Sequence, residues 1–390
     1  MKPRNCSRIR IATAAFLAAA LPGLVGPVSA PAAESTGDDR SIAPHDVIVW
    51  EGEHRIPAIV LSNKGTLLAF SEQRYQPGDH GNVDLVLKRS SDSGNTWSEP
   101  ILVHEEGGDA PITIGNPSPV VDRETGTIWL AFTRNNERAF VTHSEDDGMT
   151  WAEPREITGD VKLDHWTWYA FGPCHAIQLR SGRLLIPANH RSPQNASDSN
   201  PSGNHSHIIF SDDHGKTWKL GGSVPLPSNE SCAVELADGT VSMNSRSLGQ
   251  GRRVVALSAD GGETWKSAVM DEMLVEPVQF GTGCQGSVIR LTDEKRHDRN
   301  RLLFSNPASA KRERLTVRVS YDEGRTWTAC KALKPQGHSG YSDLVVLPDM
   351  SIGLIYETND VQWRRIRFAR FTLDWLTDGK DKVVRKRRHH

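Results

Sequence analysis

Residues 211–218 read "SDDHGKTW". Serine, aspartate, glycine and threonine alternate with variable residues, and a tryptophan closes the run. The pattern S-x-D-x-G-x-T-W returns as "SSDSGNTW" at 90–97, "SEDDGMTW" at 144–151, "SADGGETW" at 258–265 and "SYDEGRTW" at 320–327. A constellation that does chemistry is seldom copied five times in one chain, whereas a turn that closes a repeated unit often is. The residue types suit a turn. The Ser hydroxyl and Asp carboxylate bond to nearby backbone amides, and Gly takes a positive φ. Thr opens the outgoing strand and Trp packs into the repeated unit.

The box aspartates Asp92, Asp146, Asp213, Asp260 and Asp322 are 54, 67, 47 and 62 residues apart. Between them lie short segments rich in Val, Ile, Leu, Phe and Thr, bounded by Gly, Pro, Asn and Asp. Among them are "VDLVLKRS" (83–90), "TIWLAFTR" (127–134), "RLLIPANH" (183–190), "RRVVALS" (252–258), "LTVRVS" (315–320) and "IGLIYE" (352–357). Such segments predict strands. A helix is expected only near "TLDWLTDG" (372–379). Repeats of this length, each holding several strands, point to an all-β fold, a β-propeller. About 330 residues divide into six blades of roughly 55. Five boxes suit six blades if the last blade draws strands from both chain ends. The propeller is expected over residues 45–376, followed by a basic tail at 377–390 that reads as solvated.

Residues 1–33 read as a secretory signal. Lys2, Arg4, Arg8 and Arg10 precede the apolar "IATAAFLAAALPGLVGP", and Ala30-Pro31-Ala32 offers a cleavage site. The apolar run is short and broken by Pro22 and Pro27, so a membrane span is not expected and an exported protein is. Without those four cations the chain has 42 Lys and Arg against 48 Asp and Glu, which argues against a nucleic-acid partner. Cys174, Cys232, Cys284 and Cys330 are widely spaced with no CxxC. They do not make a disulfide scaffold, although one or two bridges stay open. No HExxH, Cys/His cluster or calcium loop is present, so no metal and no cofactor is implied. "GTGCQG" (281–286) matches G-x-G-x-x-G, but a strand-like "SVIRLTD" follows where a nucleotide fold needs a helix.

The residues outside the boxes carry a second set of motifs. In chain order they are "HRIP" (54–57), "SEQR" (71–74) with "PGDHGNVD" (77–84), "NES" (229–231) with "NSRS" (244–247), "AKRERLT" (310–316), "GYSDL" (340–344) and "IYE" (355–357). Together with the boxes, this set resembles the exo-α-sialidases (neuraminidases) of the bacterial and animal type over nearly the whole chain beyond the leader. The resemblance implies a retaining glycosidase. Its substrates would be sialylated glycoproteins, glycolipids and oligosaccharides.

Each role implied by the resemblance has a physical reason. Sialic acid bears a carboxylate on its anomeric carbon, and three arginines are expected to hold it: Arg55, Arg246 and Arg312. A guanidinium pairs a carboxylate bidentately and stays charged. Arg312 is preferred to Arg314, which should share its strand face. Tyr341 is the expected nucleophile. A neutral phenol avoids the repulsion that a carboxylate would meet at a carboxylate-bearing carbon, and sialidases are the known tyrosine exception among glycosidases. Glu230 is the expected base that activates it. Asp79, in a Gly/Pro-rich loop, is the expected acid/base, preferred to Asp84 at the start of a strand. Glu357 is expected to support Arg55. Arg74 should add charge near the carboxylate or the 4-hydroxyl, and Asn116 should line the pocket. "WTWYAFGPCHAIQL" (166–179) corresponds to the segment near the substrate's glycerol and N-acetyl side, with Cys174 where Gly is commoner. A trans-sialidase, a hydrolase of deaminated sialic acids and a silent glycan-binding propeller remain the alternatives. A monomer is expected.

Overall fold

The computed structural model describes residues 43–281, 283–359 and 364–386, so the leader expected at 1–33 lies outside the described residues. The chain forms antiparallel blades of four strands, the third with its inner strand split into two pieces that both pair with its second strand. After β1 (His45–Glu51), the first blade is β2 (His54–Leu61), β3 (Leu67–Arg74), β4 (Val83–Ser90) and β5 (Ile101–His104). The second is β6 (Ile114–Val121), β7 (Ile128–Arg134), β8 (Arg138–Ser144) and β9 (Arg155–Glu156). One helical turn, α1 (Thr158–Val161), leads into the third: β10 (Trp168–Phe171), β11 (Ile177–Gln178), β12 (Leu184–Arg191), β13 (Asn204–Ser211) and β14 (Lys219–Ser223). The fourth is β15 (Ser231–Glu235), β16 (Val241–Ser245), β17 (Arg252–Ser258) and β18 (Ser267–Val275). Next come β19 (Ser287–Thr292), β20 (Arg301–Pro307), β21 (Glu313–Ser320), the long β22 (Ala329–Val346), β23 (Ile352–Asn359) and β24 (Arg364–Phe371), before α2 (Leu373–Leu376).

These last strands make two blades. The first half of β22 pairs with β21, and its second half, from Ser339, pairs with β23. The sixth blade ends on β24, whose outer partner is β1 from the other end of the chain. This explains why five boxes serve six blades. Each box joins the third strand of a blade to its fourth. In the sixth blade the fourth strand is β1, so there is no such turn to make.

The five boxes have the same hydrogen bonds. In the third, Ser211 Oγ donates to Asp213 Oδ1 (2.8 Å) and accepts from Gly215 N–H (2.8 Å). Thr217 donates its amide to Asp213 Oδ1 (2.9 Å) and its hydroxyl to Oδ2 (2.6 Å). Burial pushes these carboxyls up. The bonds from Thr, Ser and the backbone outweigh it and hold Asp92, Asp146, Asp213 and Asp260 down to about 2. Gly215 has φ +87°, and a Cβ there would meet the Trp129 ring at 2.1 Å, so the position needs glycine for conformation and for space.

The box tryptophans pack between blades, not into their own sheet as the sequence suggested. Trp97 joins a core with Phe368 of the sixth blade, Trp151 one with Phe70 of the first and Trp218 one with Trp129 of the second. Trp265 and Trp327 do the same between later blades. Six such cores lie between the six pairs of neighbouring blades. Truncating one large side chain in such a layer costs about 3–5 kcal/mol. Residues 377–386 are tied to the fifth blade: the buried Arg301 pairs with Asp381 (2.7 Å), and Arg385 bridges His297, while Val384, Arg385 and Lys386 themselves are exposed. Cys174, Cys232, Cys284 and Cys330 are free thiols.

Candidate functional site

The inner strands of the blades start at one end of the propeller, and the predicted residues gather there. Three inner strands lose register near that end. β2 slips between Arg55 and Ala58, with Ile56 at φ +58°. β6 slips between Gly115 and Ser118, with Asn116 at φ +59°. β22 slips between Ser339 and Ser342, with Tyr341 inside the irregularity. Such bulges re-aim side chains and are common beside functional sites.

Glu357, 5% exposed on β23, ties two of these bulges together. Its Oε1 accepts from Ile56 N–H (2.8 Å) and Arg55 Nε (3.2 Å), and its Oε2 from Arg55 Nη2 (3.3 Å) and Tyr341 N–H (3.2 Å). Burial pushes this carboxyl up, but Arg55 and the two amides outweigh it and hold it below the usual range. The guanidiniums of Arg55 and Arg312 lie 5.3 and 5.5 Å from the centre of the Tyr341 ring. The third arginine, Arg246, donates from Nη1 to the Tyr341 hydroxyl (3.2 Å) and to Glu230 Oε2. The Tyr341 hydroxyl donates to Glu230 Oε1. Burial and the Glu230 carboxylate push the phenol's pKa well up, while Arg246, Arg312 and Arg55 pull it down.

The two sequence ambiguities separate cleanly. Arg312 is half-buried and donates from Nη2 to Gly283 O (3.2 Å); among the described residues it has no carboxylate partner. Its fork is therefore open to an anion. Arg314 does not share its face. It is exposed at φ +60°, where β21 slips register between Glu313 and Leu315. Asp79 reaches the arginines and Asp84 does not. Asp79 Oδ1 accepts from Arg74 Nη1 (2.8 Å) and Arg55 Nη1 (3.2 Å), while its side chain stays 70% exposed. Burial pushes its carboxyl up, and the two arginines hold it below the usual range. Asp84 is buried and accepts from Tyr75 Oη (2.8 Å).

Arg74 is held from below by Glu72, a residue within the quoted "SEQR" to which no role was given. Arg74 Nε donates to Glu72 Oε2 (3.0 Å), and Glu72 Oε1 accepts from Asn116 N–H (2.8 Å). Arg74 thereby docks the Asp79 loop on the first blade. Asn116 contributes its backbone to this link, and its side-chain amide donates to Thr133 Oγ1 (3.2 Å). Trp168 stands edge-on to His80 at 6.3 Å, beside the same loop. Cys174 is buried, with Sγ donating to carbonyls of His175 and Ser231.

Beneath the site, the buried Asp343 closes the axis. It accepts from Ile59 N–H (2.9 Å), His175 N–H (2.8 Å), His175 Nδ1 (2.6 Å) and Ser287 Oγ (2.8 Å). A cavity of 840 Å³ opens on its far side, lined by the outgoing ends of the inner strands, among them Val60, Val121, Val234 and Val345. None of the named site residues lines it, but His175, Ala176, Ile177 and Gln178 do, so the second half of "WTWYAFGPCHAIQL" runs away from the predicted site. The smaller recess of 160 Å³ does touch them, through Arg55, Arg312 and Glu357. The larger cavity lies at the opposite end of the inner strands from the predicted residues. Among those residues, the guanidiniums of Arg55, Arg246 and Arg312 surround a buried phenol with a carboxylate on its hydroxyl, and Arg74 and Arg55 hold an exposed carboxylate beside them. Such a site can hold an anion, activate an oxygen nucleophile and pass a proton.

A BNR repeat-like domain matches residues 56–356. The chain is 36% identical over 350 residues to a sialidase of Micromonospora viridifaciens, covering 83% of this chain and 52% of that protein. It is 30% identical over 374 residues to an exo-alpha-sialidase of Aspergillus fumigatus, covering 83% of this chain and 85% of that one. Among solved structures, the Hadza microbial sialidase Hz136 superposes with a TM-score of 0.72 at 28% identity, covering 87% of this chain and 67% of that one. The chain thus spans about half the length of the Micromonospora relative and most of the Aspergillus one.

Proposed function

The chain belongs to the sialidase family, and from that premise we propose that it is an exported, monomeric exo-α-sialidase. It releases terminal α-linked sialic acids from glycoproteins, glycolipids and oligosaccharides by a retaining mechanism, with the reaction carried by residues 45–376. The observation that carries this reading is the Tyr341 hydroxyl bonded to both Glu230 and Arg246, with the guanidiniums of Arg55 and Arg312 alongside its ring.

The carboxylate of the substrate docks on Arg55, Arg246 and Arg312, and Arg312 offers the open fork. Asp79 leans on Arg55 in the ligand-free protein. A bound carboxylate competes for that guanidinium and so removes one of the groups that keep Asp79 ionised, which favours the protonated form that an acid needs. Asp79 then protonates the glycosidic oxygen as the C2–O bond breaks. Tyr341 transfers its proton to Glu230 and bonds through its oxygen to C2. Water, deprotonated by Asp79, next attacks C2 from the other face, the Tyr341–C2 bond breaks, and the phenolate recovers its proton from Glu230.

The test is release of a fluorescent aglycone from an α-linked N-acetylneuraminide by the protein and by Tyr341→Phe. Turnover that collapses in the variant supports the reading. A folded protein with no turnover on this substrate or on its deaminated analogue points to a silent glycan-binding propeller. Products that carry sialic acid on an added sugar identify a trans-sialidase.

A further inference from the structure

We propose that the buried pair Arg253–Glu276 positions two of the three carboxylate-binding arginines, Arg246 and Arg312. The inference rests on the reading of those arginines given above. Both side chains of the pair are fully buried, and they meet at 2.9 Å. Taking two full charges out of water is costly, and an apolar pair would often serve stability as well. The contacts of this pair are with the segments that carry the site.

Arg253 lies where β17 slips register between Arg252 and Val254, at the same end of the fourth blade as Arg246. Its Nε donates to Asn244 Oδ1 (2.7 Å), and its Nη1 to Cys284 O (2.6 Å) as well as to Glu276 Oε2. Glu276 Oε1 accepts from Ser247 N–H (2.7 Å) and from the Ser247 hydroxyl. Ser247 directly follows Arg246. Cys284 directly follows Gly283, whose carbonyl accepts from Arg312. One arm of the pair therefore fixes the backbone that carries Arg246, and the other fixes the backbone on which Arg312 leans. The two arms meet at Gly283. A Cβ built there would come within 2.9 Å of Glu276 Oε1 and 3.0 Å of Arg246 Cγ, so a side chain at this position would push on both. A shift of the pair would move both guanidiniums together, and a displacement of about 1 Å in such a site can cost up to about a hundredfold.

The experiment compares competitive inhibition by sialic acid and by its methyl ester, which replaces the carboxylate by a neutral group larger by one methyl, in the full chain and in Glu276→Gln and Arg253→Lys. Thermal unfolding is followed in parallel. The expected result is that the preference for the acid over the ester falls about tenfold in both variants while ester binding holds. If either variant does not fold, Ser247→Ala removes one bond to Glu276 and shows the same loss in smaller measure. A preference that survives in the folded variants overturns the proposal. So does an equal weakening of acid and ester, which marks the pair as structural only. A wild-type protein that does not prefer the acid overturns the assignment of the three arginines, and the proposal with it.

Discussion

At the end of the propeller where the third strands finish, five turns repeat the same hydrogen bonds between Ser, Asp, Gly and Thr. At the end where the inner strands begin, no two blades contribute the same set. The first supplies Arg55, Arg74 and Asp79, the fourth Glu230 and Arg246, the fifth Arg312, and the sixth Tyr341 and Glu357. Both ends belong to the same strands. The repeated end does one job in each blade: it closes the turn and sends a tryptophan into the layer shared with the preceding blade. The irregular end assembles one site from many blades, so each must differ. Both ends hold non-glycine residues at positive φ, the boxes at Ser93, Asp147, His214 and Glu323 and the site end at Ile56, Asn116 and Arg314, but the boxes repeat one turn whereas the site end breaks strand register differently in each blade.

The comparison breaks if changes at one end behave like changes at the other. The largest effect is expected at Asp79. In Asp79→Ala, turnover of a natural oligosaccharide should fall by about 10³-fold, the usual range for a general acid, while an aryl sialoside with a good leaving group should lose far less. Parallel loss on both substrates would show that Asp79 is not the acid. Arg312→Ala should come next, weakening substrate binding by about 10–100-fold through loss of a charged hydrogen-bonding partner, with unfolding unchanged; steady-state kinetics and a melting curve check this. Changes at the box end should leave turnover per folded molecule intact and act on stability. Gly215→Ala introduces a Cβ against Trp129 at φ +87° and should cost about 3 kcal/mol in urea unfolding.

The smallest effect sharpens the box end by pH. The Asp213 carboxyl sits at about 2 in the folded chain against an ordinary 3.8, so its contribution is present above the ordinary value and is lost as pH falls toward 2. Asp213→Asn should therefore be less stable than the parent by about 1 kcal/mol at neutral pH, since the carboxylate is largely solvent-screened. That gap should close between pH 4 and pH 2 in urea titrations. A gap that widens in acid would mean the carboxylate is not what the box uses.

The box end was legible in the sequence because its chemistry is local. Ser, Asp, Gly and Thr bond within seven residues, and five copies expose the pattern. The strands were legible for the same reason; "VDLVLKRS" is β4 residue for residue. The site was legible only as far as its motifs carried it. Sequence could not show that Arg314 leaves the strand face, because that depends on a backbone at φ +60° beside a register slip. It also could not show that the box tryptophans serve the interface with the neighbouring blade. Glu72 through Asn116, Asp343 through Ile59, His175 and Ser287, and the Arg253–Glu276 pair through Ser247 and Cys284 act on segments well apart in the chain. A lone buried carboxylate or arginine looks like any surface charge until its surroundings are known. Asp343 stood inside "GYSDL" and Glu72 inside "SEQR", so the motifs contained them without disclosing what they do.

The most direct measurement follows the covalent step itself. The protein is incubated with a sialic acid fluorinated at C2 and C3. Fluoride leaves from C2, and the C3 fluorine slows hydrolysis by destabilising positive charge on the ring. Peptide mass spectrometry then locates the adduct. The account predicts one sialyl group, on the peptide carrying Tyr341 and on its phenolic oxygen, and none in Tyr341→Phe. An adduct on Glu230, on Asp79 or on no residue, in a protein that still turns over the aryl sialoside, would contradict it.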